Sequence, residues 1–306
     1  MTMQELKYTQ EEALSTRAKE SLAELRLPLT GWEKSIVGFT NEVWLSSHGT
    51  LKIYRKPGIR QEREKAFYRL SPISTMPKAL AIGKDYLLME NVQGDGFFRY
   101  WPEWSPEQRK QLFSQACDAV GAIMDLPMDS LPGAETTWPE ETRKNALESL
   151  QILESEHSDQ IELLTRCRRA WEAHEEALFS GNDFCWLHRD FHLDNLLWNE
   201  KTERFFLLDF EDVIYAPADV FLDTPLRMLA YPFLYANEID DPRQRKEDYE
   251  GLFAILQAKF PRCFAHPRWQ ERVALYSLQY NLRHLRGAPK NKGLLERLER
   301  NLNQLS

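Results

Sequence analysis

Asp190, Asn195 five residues on, and Asp209 fourteen residues beyond that are the side chains whose types and order could do concerted chemistry. The first two stand in the stretch Trp186-Leu187-His188-Arg189-Asp190-Phe191-His192-Leu193-Asp194-Asn195, and the third opens an Asp209-Phe210 pair. Transfer of a γ-phosphoryl group needs a carboxylate to take a hydroxyl proton and hard oxygen ligands to hold Mg2+ against the phosphates. Asp190 could supply the first part, Asn195 and Asp209 the second. Asp and Asn are also common turn formers, so the elements around them matter. Apolar runs at 184–187 and 196–198 bracket the polar loop, and a third at 205–208 ends at Asp209. Runs of that length read as buried strands.

The pattern His188-x-Asp190-x-His192-x-x-Asn195 with Asp209-Phe210 resembles the Brenner-type motif of the aminoglycoside phosphotransferase and choline kinase family, small-molecule relatives of the protein kinases. The resemblance implies an α+β, protein-kinase-like fold of two lobes. A small antiparallel-sheet lobe over residues 1–92 would bind nucleotide, and a large, mainly helical lobe over residues 93–306 would carry catalysis and the acceptor. It implies ATP or GTP and Mg2+ as cofactors, a small-molecule hydroxyl as acceptor, Asp190 as the base, and Asn195 and Asp209 as metal ligands. His188 and His192 would hold the loop. Two departures stand out: Arg189 sits where small-molecule kinases commonly carry glycine, and Glu211 replaces the glycine of Asp-Phe-Gly, which the antibiotic and choline kinases also lack, so that it sides with small-molecule kinases. Residues 210–216, between Asp209 and Pro217, contain no Ser or Thr, which argues against phospho-activation of the protein-kinase sort. Arg189 is then expected to pair with Glu211, Asp212, Asp219 or Asp223. The family's aspartate that bonds back to the catalytic loop would be Asp219 or Asp223, which flank the usual spacing.

Upstream elements must deliver the phosphate-binding groups. Thr9-Gln10-Glu11-Glu12 has capping-box spacing, and Leu14, Ala18, Leu22 and Leu25 mark one face of a helix. Short β-type runs follow at 36–37, 42–45 and 51–54, then at 79–82 and 86–89, a sheet of about five strands. Lys52 alternates with Leu51 and Ile53, so its side chain leaves the opposite face of the strand from the apolar pair. By resemblance it contacts the α- and β-phosphates and is fixed by a glutamate of the helical run 60–70, either Glu62 or Glu64, with the apolar positions Phe67 and Leu70 favouring Glu64. Gly38, Thr40 and Asn41 occupy the turn where the family places its nucleotide-covering loop, and turn amides can cradle phosphate oxygens. The segment 90–94 matches the hinge, with the Glu90 carbonyl and Val92 amide facing an adenine edge. The aromatics Phe97, Phe98, Tyr100, Trp101 and Trp104 just beyond are read chiefly as packing.

Composition narrows the classes. A hydrophobic fraction of 42% with 28% charged residues excludes disorder on a large scale. A formal net charge of −8 argues against a nucleic-acid partner, which clustered Lys and Arg would serve. No apolar stretch approaches a membrane span of roughly 20 residues, nor does the N-terminus carry a signal core, so a cytoplasmic protein without a membrane partner is expected. Cys117, Cys167, Cys185 and Cys263 have no CxxC spacing and read as buried free thiols. Glu238, Asp240 and Asp241 could favour a cationic acceptor, although a solvated face explains them equally. A zinc-hydrolase reading would use His188 and His192 but leaves Lys52 and Asp209 without roles. Three readings thus stand in order: a small-molecule kinase, an atypical Ser/Thr protein kinase, and a nucleotide-binding scaffold without turnover.

Overall fold

Antiparallel pairing of neighbouring segments builds the first part of the chain, because two-residue and other short connections leave successive strands side by side. The computed structural model describes residues 9–10, 13–35, 41–134, 137–181, 183–235 and 241–306. Contacts group them into one unit of residues 1–100, Asp129–Gly133 and Leu193–Val213, and a second of Trp101–Met128, Ala134–His192 and Ile214–Ser306.

In the first unit, β1 (Thr9–Gln10), helix α1 (Thr16–Glu24), β2 (Glu33–Ser35), β3 (Glu42–Ser46) and β4 (Gly49–Ile53) precede α2 (Ile59–Leu70), β5 (Ala79–Ile82) and β6 (Tyr86–Met89). The strands form one sheet in the order β1-β2-β3-β4-β6-β5, antiparallel throughout. The sheet has six strands where the sequence predicts about five. The extra one is Thr9–Gln10, read from sequence as the start of a helix. That helix instead begins at Thr16, where Ser15 supplies the cap by accepting from the Ala18 amide at 3.2 Å. Ala18 and Leu22 of α1 then pack with Trp44, Leu51, Ile53 and Leu88 of the sheet, all at most 5% exposed. Gly49 closes the β3–β4 hairpin at φ 144°, and a Cβ there would lie 2.5 Å from the Met89 carbonyl oxygen. Only glycine lets β4 and β6 approach so closely.

Past the extended segment 90–94, β7 (Asp95–Gly96) and α3 (Phe97–Tyr100) end this stretch. Phe97 and Phe98 are buried, and Phe97 packs edge-on against Trp198 and Phe205.

The second unit opens with α4 (Pro106–Met124), whose start is fixed by a reciprocal capping box between Ser105 and Gln108 with Pro106 at the first helical position. It continues with α5 (Trp138–Glu156), α6 (Ile161–His174) and β8 (Phe184–His188). The chain then returns to the first unit for the hairpin β9 (Leu196–Asn199) and β10 (Arg204–Leu207), where β7 adds a third strand beside β9. Back in the second unit come β11 (Val213–Pro217), which pairs with β8, and α7 (Asp223–Ala230), α8 (Leu252–Lys259), α9 (Trp269–Leu285) and α10 (Lys292–Leu305). Helix α7 stops at Ala230, and a 3-10 turn begins at Pro232, whose ring cannot continue the ladder. All four cysteines are buried and free, and burial raises their thiol pKa values. Among the described residues no helix is long and apolar enough to cross a membrane.

A buried ion pair stabilises the second unit. Arg272 of α9, 1% exposed, bonds Asp219 at 3.0 and 2.5 Å and the carbonyl oxygens of Ala177 and Ser180 at 3.1 and 3.0 Å. Burial pushes the Asp219 carboxyl above its ordinary pKa while Arg272 opposes that rise. Arg272→Met, which strands the carboxylate, is expected to cost about 3–5 kcal/mol in urea denaturation, with part regained in Arg272→Met/Asp219→Leu. An unchanged midpoint in the single variant would contradict this account.

Candidate active site

The β9–β10 hairpin brings two of the sequence-predicted side chains to one end. Leu196 pairs with Leu207, and beyond that pair the Leu208 amide donates to the Asn195 carbonyl at 2.9 Å. Asn195 and Asp209 therefore leave the same open end of one hairpin, although fourteen residues separate them. Asp209 has φ 58° and ψ 68°, the left-handed region that Asp tolerates better than most residues. Its side chain is 46% exposed, which leaves carboxylate oxygen accessible to a ligand.

Helix α2 clamps the segment that follows. Phe67 stacks on Phe210 with ring centroids 4.5 Å apart, and Tyr68 meets the same ring edge-on. Arg60 and Glu64, one turn apart on α2, share a face. Arg60 reaches Asp212 at 2.7 Å and Glu211 at 3.2 Å, and Glu64 reaches Lys52 of β4 at 2.8 Å. Glu62 points elsewhere, pairing with Lys65 at 2.6 Å. Tyr54 donates to the second Glu64 contact at 2.8 Å and so fixes the carboxylate that holds Lys52. Arg63, also on α2, donates to the carbonyls of Pro132, Gly133 and Val213, tying residues 129–133 into this unit.

Lys52 lies among three carboxylates: Glu64, Glu211 at 3.1 Å and Asp209 at 3.5 Å. Burial alone would lower its pKa, yet the three acids hold the ammonium well above the ordinary lysine value, so it is charged at any working pH. Glu211 also accepts from the Asn41 side-chain amide, while Asn41 in turn accepts from the Arg55 amide at 3.2 Å. Glu211 is the residue that the sequence reading noted in place of a glycine and offered as a partner of Arg189; it meets Lys52, Arg60 and Asn41. Its signal was available in outline: an acid two positions past Asp209, with a basic residue four before Glu64 on the facing helix. Gly38 and Thr40 lie outside the described residues, as do Glu238 and Asp240. In the hinge segment the Glu90 amide donates to the Lys78 carbonyl at 2.9 Å, and the Asn91 side chain donates to the Ser46 carbonyl at 2.8 Å. Val92 follows in irregular, half-buried backbone.

Asp190 belongs to the second unit, in the turn after β8. His192 Nε2 lies 3.3 Å from Asp190 Oδ2, so this imidazole orients the carboxylate directly as well as packing the loop. His188 is fully buried at the end of β8. The loop backbone is anchored by Thr224, whose hydroxyl donates to the Arg189 carbonyl at 2.8 Å. Of the two aspartates expected from sequence to bond back to the loop, Asp219 pairs with Arg272 and Asp223 with Arg227 at 2.9 Å. The Arg189 guanidinium lies 5.0 Å over the Trp138 ring.

Among the described residues no three His, Cys, Asp or Glu side chains are grouped to hold a metal. The Asp209 carboxylate is accessible, and Asn195 stands at the same hairpin end; both residue types carry the hard oxygens that Mg2+ prefers.

Solved structures share this fold. The gentamicin complex of APH(2″)-IIa is 17% identical, covers 96% of this chain and 97% of its own, and superposes with a TM-score of 0.66. The GDP complex of aminoglycoside 2′-phosphotransferase-IIIa is 14% identical over 95% and 99%, at 0.63. A choline/ethanolamine kinase family protein from Mesorhizobium loti is 18% identical over 94% and 98%, at 0.53. No curated protein matches the sequence. At these identities the likeness is one of fold: a protein-kinase-like architecture with a small antiparallel sheet and a mainly helical remainder. The model of the phosphotransferase enzyme family matches residues 37–220, more than half of the chain and the whole stretch from Asn41 to Asp209; the chain belongs to that family.

Proposed function

We propose that the protein transfers the γ-phosphoryl group of ATP or GTP to a hydroxyl of a small molecule. The observation that carries this reading is the meeting of Asn195 and Asp209 at one hairpin end, with Asp209 3.5 Å from a Lys52 that Glu64 fixes at 2.8 Å. A fixed ammonium beside a hard-oxygen pair matches what nucleotide phosphates and their metal require. In this reading residues 1–92 and the hairpin within Leu193–Val213 handle the nucleotide, and residues 93–306 otherwise carry the acceptor. Lys52 would position the α- and β-phosphates, the turn containing Gly38, Thr40 and Asn41 would cover them, and the backbone of Glu90 and Val92 would take the base.

Asn195 and Asp209 would hold Mg2+. Bound there, the ion neutralises charge developing on the phosphate oxygens. Asp190, set by His192, would orient the acceptor hydroxyl and take its proton as the new P–O bond forms. Nucleotide supply and Mg2+ fit a cytoplasmic setting. The segment after Asp209 passes directly to β11 without a Ser or Thr between them, which favours a small-molecule acceptor over a protein one.

Incubation with γ-labelled nucleotide and a hydroxylated metabolite and antibiotic panel tests this. Label is expected in the small-molecule fraction with matching release of nucleoside diphosphate. Label in protein instead would favour a Ser/Thr kinase, and label in neither would favour a scaffold.

A further inference from the structure

One wall of the second unit is cationic, in a protein whose net charge is −8. Two neighbouring cavities there, of about 250 and 420 Å3, both include Arg227 and Arg297 in their walls. Arg300 lines the larger one, and the lone carboxylate in either wall is Asp223. Three guanidinium groups thus face one carboxylate among the described residues.

Arg227 is held rigidly. Its Nε donates to the Tyr235 hydroxyl at 2.7 Å, its Nη2 to Asp223 at 2.9 Å, and its Cζ lies 3.4 Å over the Tyr280 ring. The remaining nitrogen, Nη1, is buried without a hydrogen-bond partner among the described residues. A buried guanidinium with an idle donor is costly unless something accepts from it. Arg297 is also preset, since its Nε donates to Asn281, which a bond to Asn301 fixes in turn. The local field is consistent: burial together with Arg283, Arg227 and Arg297 holds His284, in the smaller cavity's wall, below the ordinary histidine pKa.

Two side chains, Tyr235 and His192, link the cavity wall to the proposed base. Tyr235, in the wall of the smaller cavity, packs against His192 with ring centroids 4.7 Å apart, and His192 touches Asp190. A molecule seated beside Tyr235 would lie against the arginines at one end, with Tyr235 and His192 between its other end and Asp190.

We propose that the acceptor is a hydroxylated small molecule bearing an anionic group, a carboxylate or a phosphate ester, which Arg227 and Arg297 bind. This rests on the phosphotransfer reading of Asp190. Planar guanidinium groups suit both oxyanions through paired hydrogen bonds. The same charges repel an aminoglycoside or a choline-like cation, the class that Glu238, Asp240 and Asp241 had suggested from sequence.

Calorimetric titration of the full chain with four compounds of similar size tests the proposal: glycerate, glycerol 3-phosphate, glycerol and ethanolamine. Glycerate or glycerol 3-phosphate is expected to bind at least about 10-fold more tightly than glycerol, with ethanolamine weakest. Which anion binds better tells carboxylate from phosphate. Arg297→Gln is expected to weaken the preferred anion by about 10- to 100-fold, and Arg297→Lys to restore part of that loss. Absence of anion binding, equal binding of glycerol or ethanolamine, or an unaltered affinity in Arg297→Gln would overturn the inference. None of these readouts needs turnover. Anion binding in a chain that transfers no label would sink the phosphotransfer reading alone, and label transfer to cationic acceptors would sink the anionic class alone.

Discussion

Asp190→Asn is expected to lower the rate of phosphoryl transfer by about 10²–10⁴-fold while leaving nucleotide affinity within about twofold. The substitution keeps the side chain's shape, so the turn after β8 and the Thr224 hydroxyl bond to the Arg189 carbonyl should persist. What disappears is the oxygen that accepts a proton and the charge that His192 faces at 3.3 Å. The residues proposed to hold nucleotide, Lys52, Glu64, Asn195 and Asp209, belong to the other unit, and Lys52 keeps its pairings with Glu64 and Asp209, which is why binding and turnover should separate. Single-turnover transfer of label, with nucleotide affinity measured by fluorescence titration, gives both numbers. Full turnover in the variant would remove Asp190 from the role of base. An equal loss of nucleotide affinity would instead make it a binding residue.

Much of this arrangement is legible in the residues because local chemistry decides it. Alternation puts Lys52 on the far face of its strand, and helical spacing puts Glu64 rather than Glu62 toward it, since Phe67 and Phe210 fix which side of α2 is inward. The four buried thiols are likewise a local reading. What the sequence withholds depends on partners far along the chain. Thr9–Gln10 carries a capping pattern, yet it lies in a strand beside Glu33–Ser35, and no local signal announces that pairing. Asp219 and Asp223 are equally good candidates by spacing, and nothing local announces that Arg272 lies against the first and Arg227 against the second. Glu211 looked like a mere replacement of glycine, but Lys52, Arg60 and Asn41 converge on it from three other segments. The cationic wall at Arg227 and Arg297 is invisible in a net charge of −8, because a sum over the chain carries no information about where seventy residues of separation are closed.

Asp209 carries the second large effect, and the choice of substitution decides what is learned. At φ 58° most residues are strained, so Asp209→Ala mixes loss of the carboxylate with a backbone cost of about 1–2 kcal/mol. Asn tolerates the same region, and Asp209→Asn therefore isolates the charge. It leaves Lys52 its closer partners, Glu64 at 2.8 Å and Glu211 at 3.1 Å, so the ammonium stays in place. The expected result is a fall in kcat/KM of about 10²–10⁴-fold, since several kcal/mol of charge stabilisation are at stake and about 1.4 kcal/mol is tenfold. The deficit should shrink as Mg2+ is raised, because a weaker ligand set is filled by mass action. Nucleotide affinity measured with and without Mg2+ separates the cases: the variant and the parent should agree in chelator and diverge when the metal is present. A variant that lost affinity equally under both conditions would make Asp209 a partner of Lys52 alone and would leave Asn195 without its companion ligand.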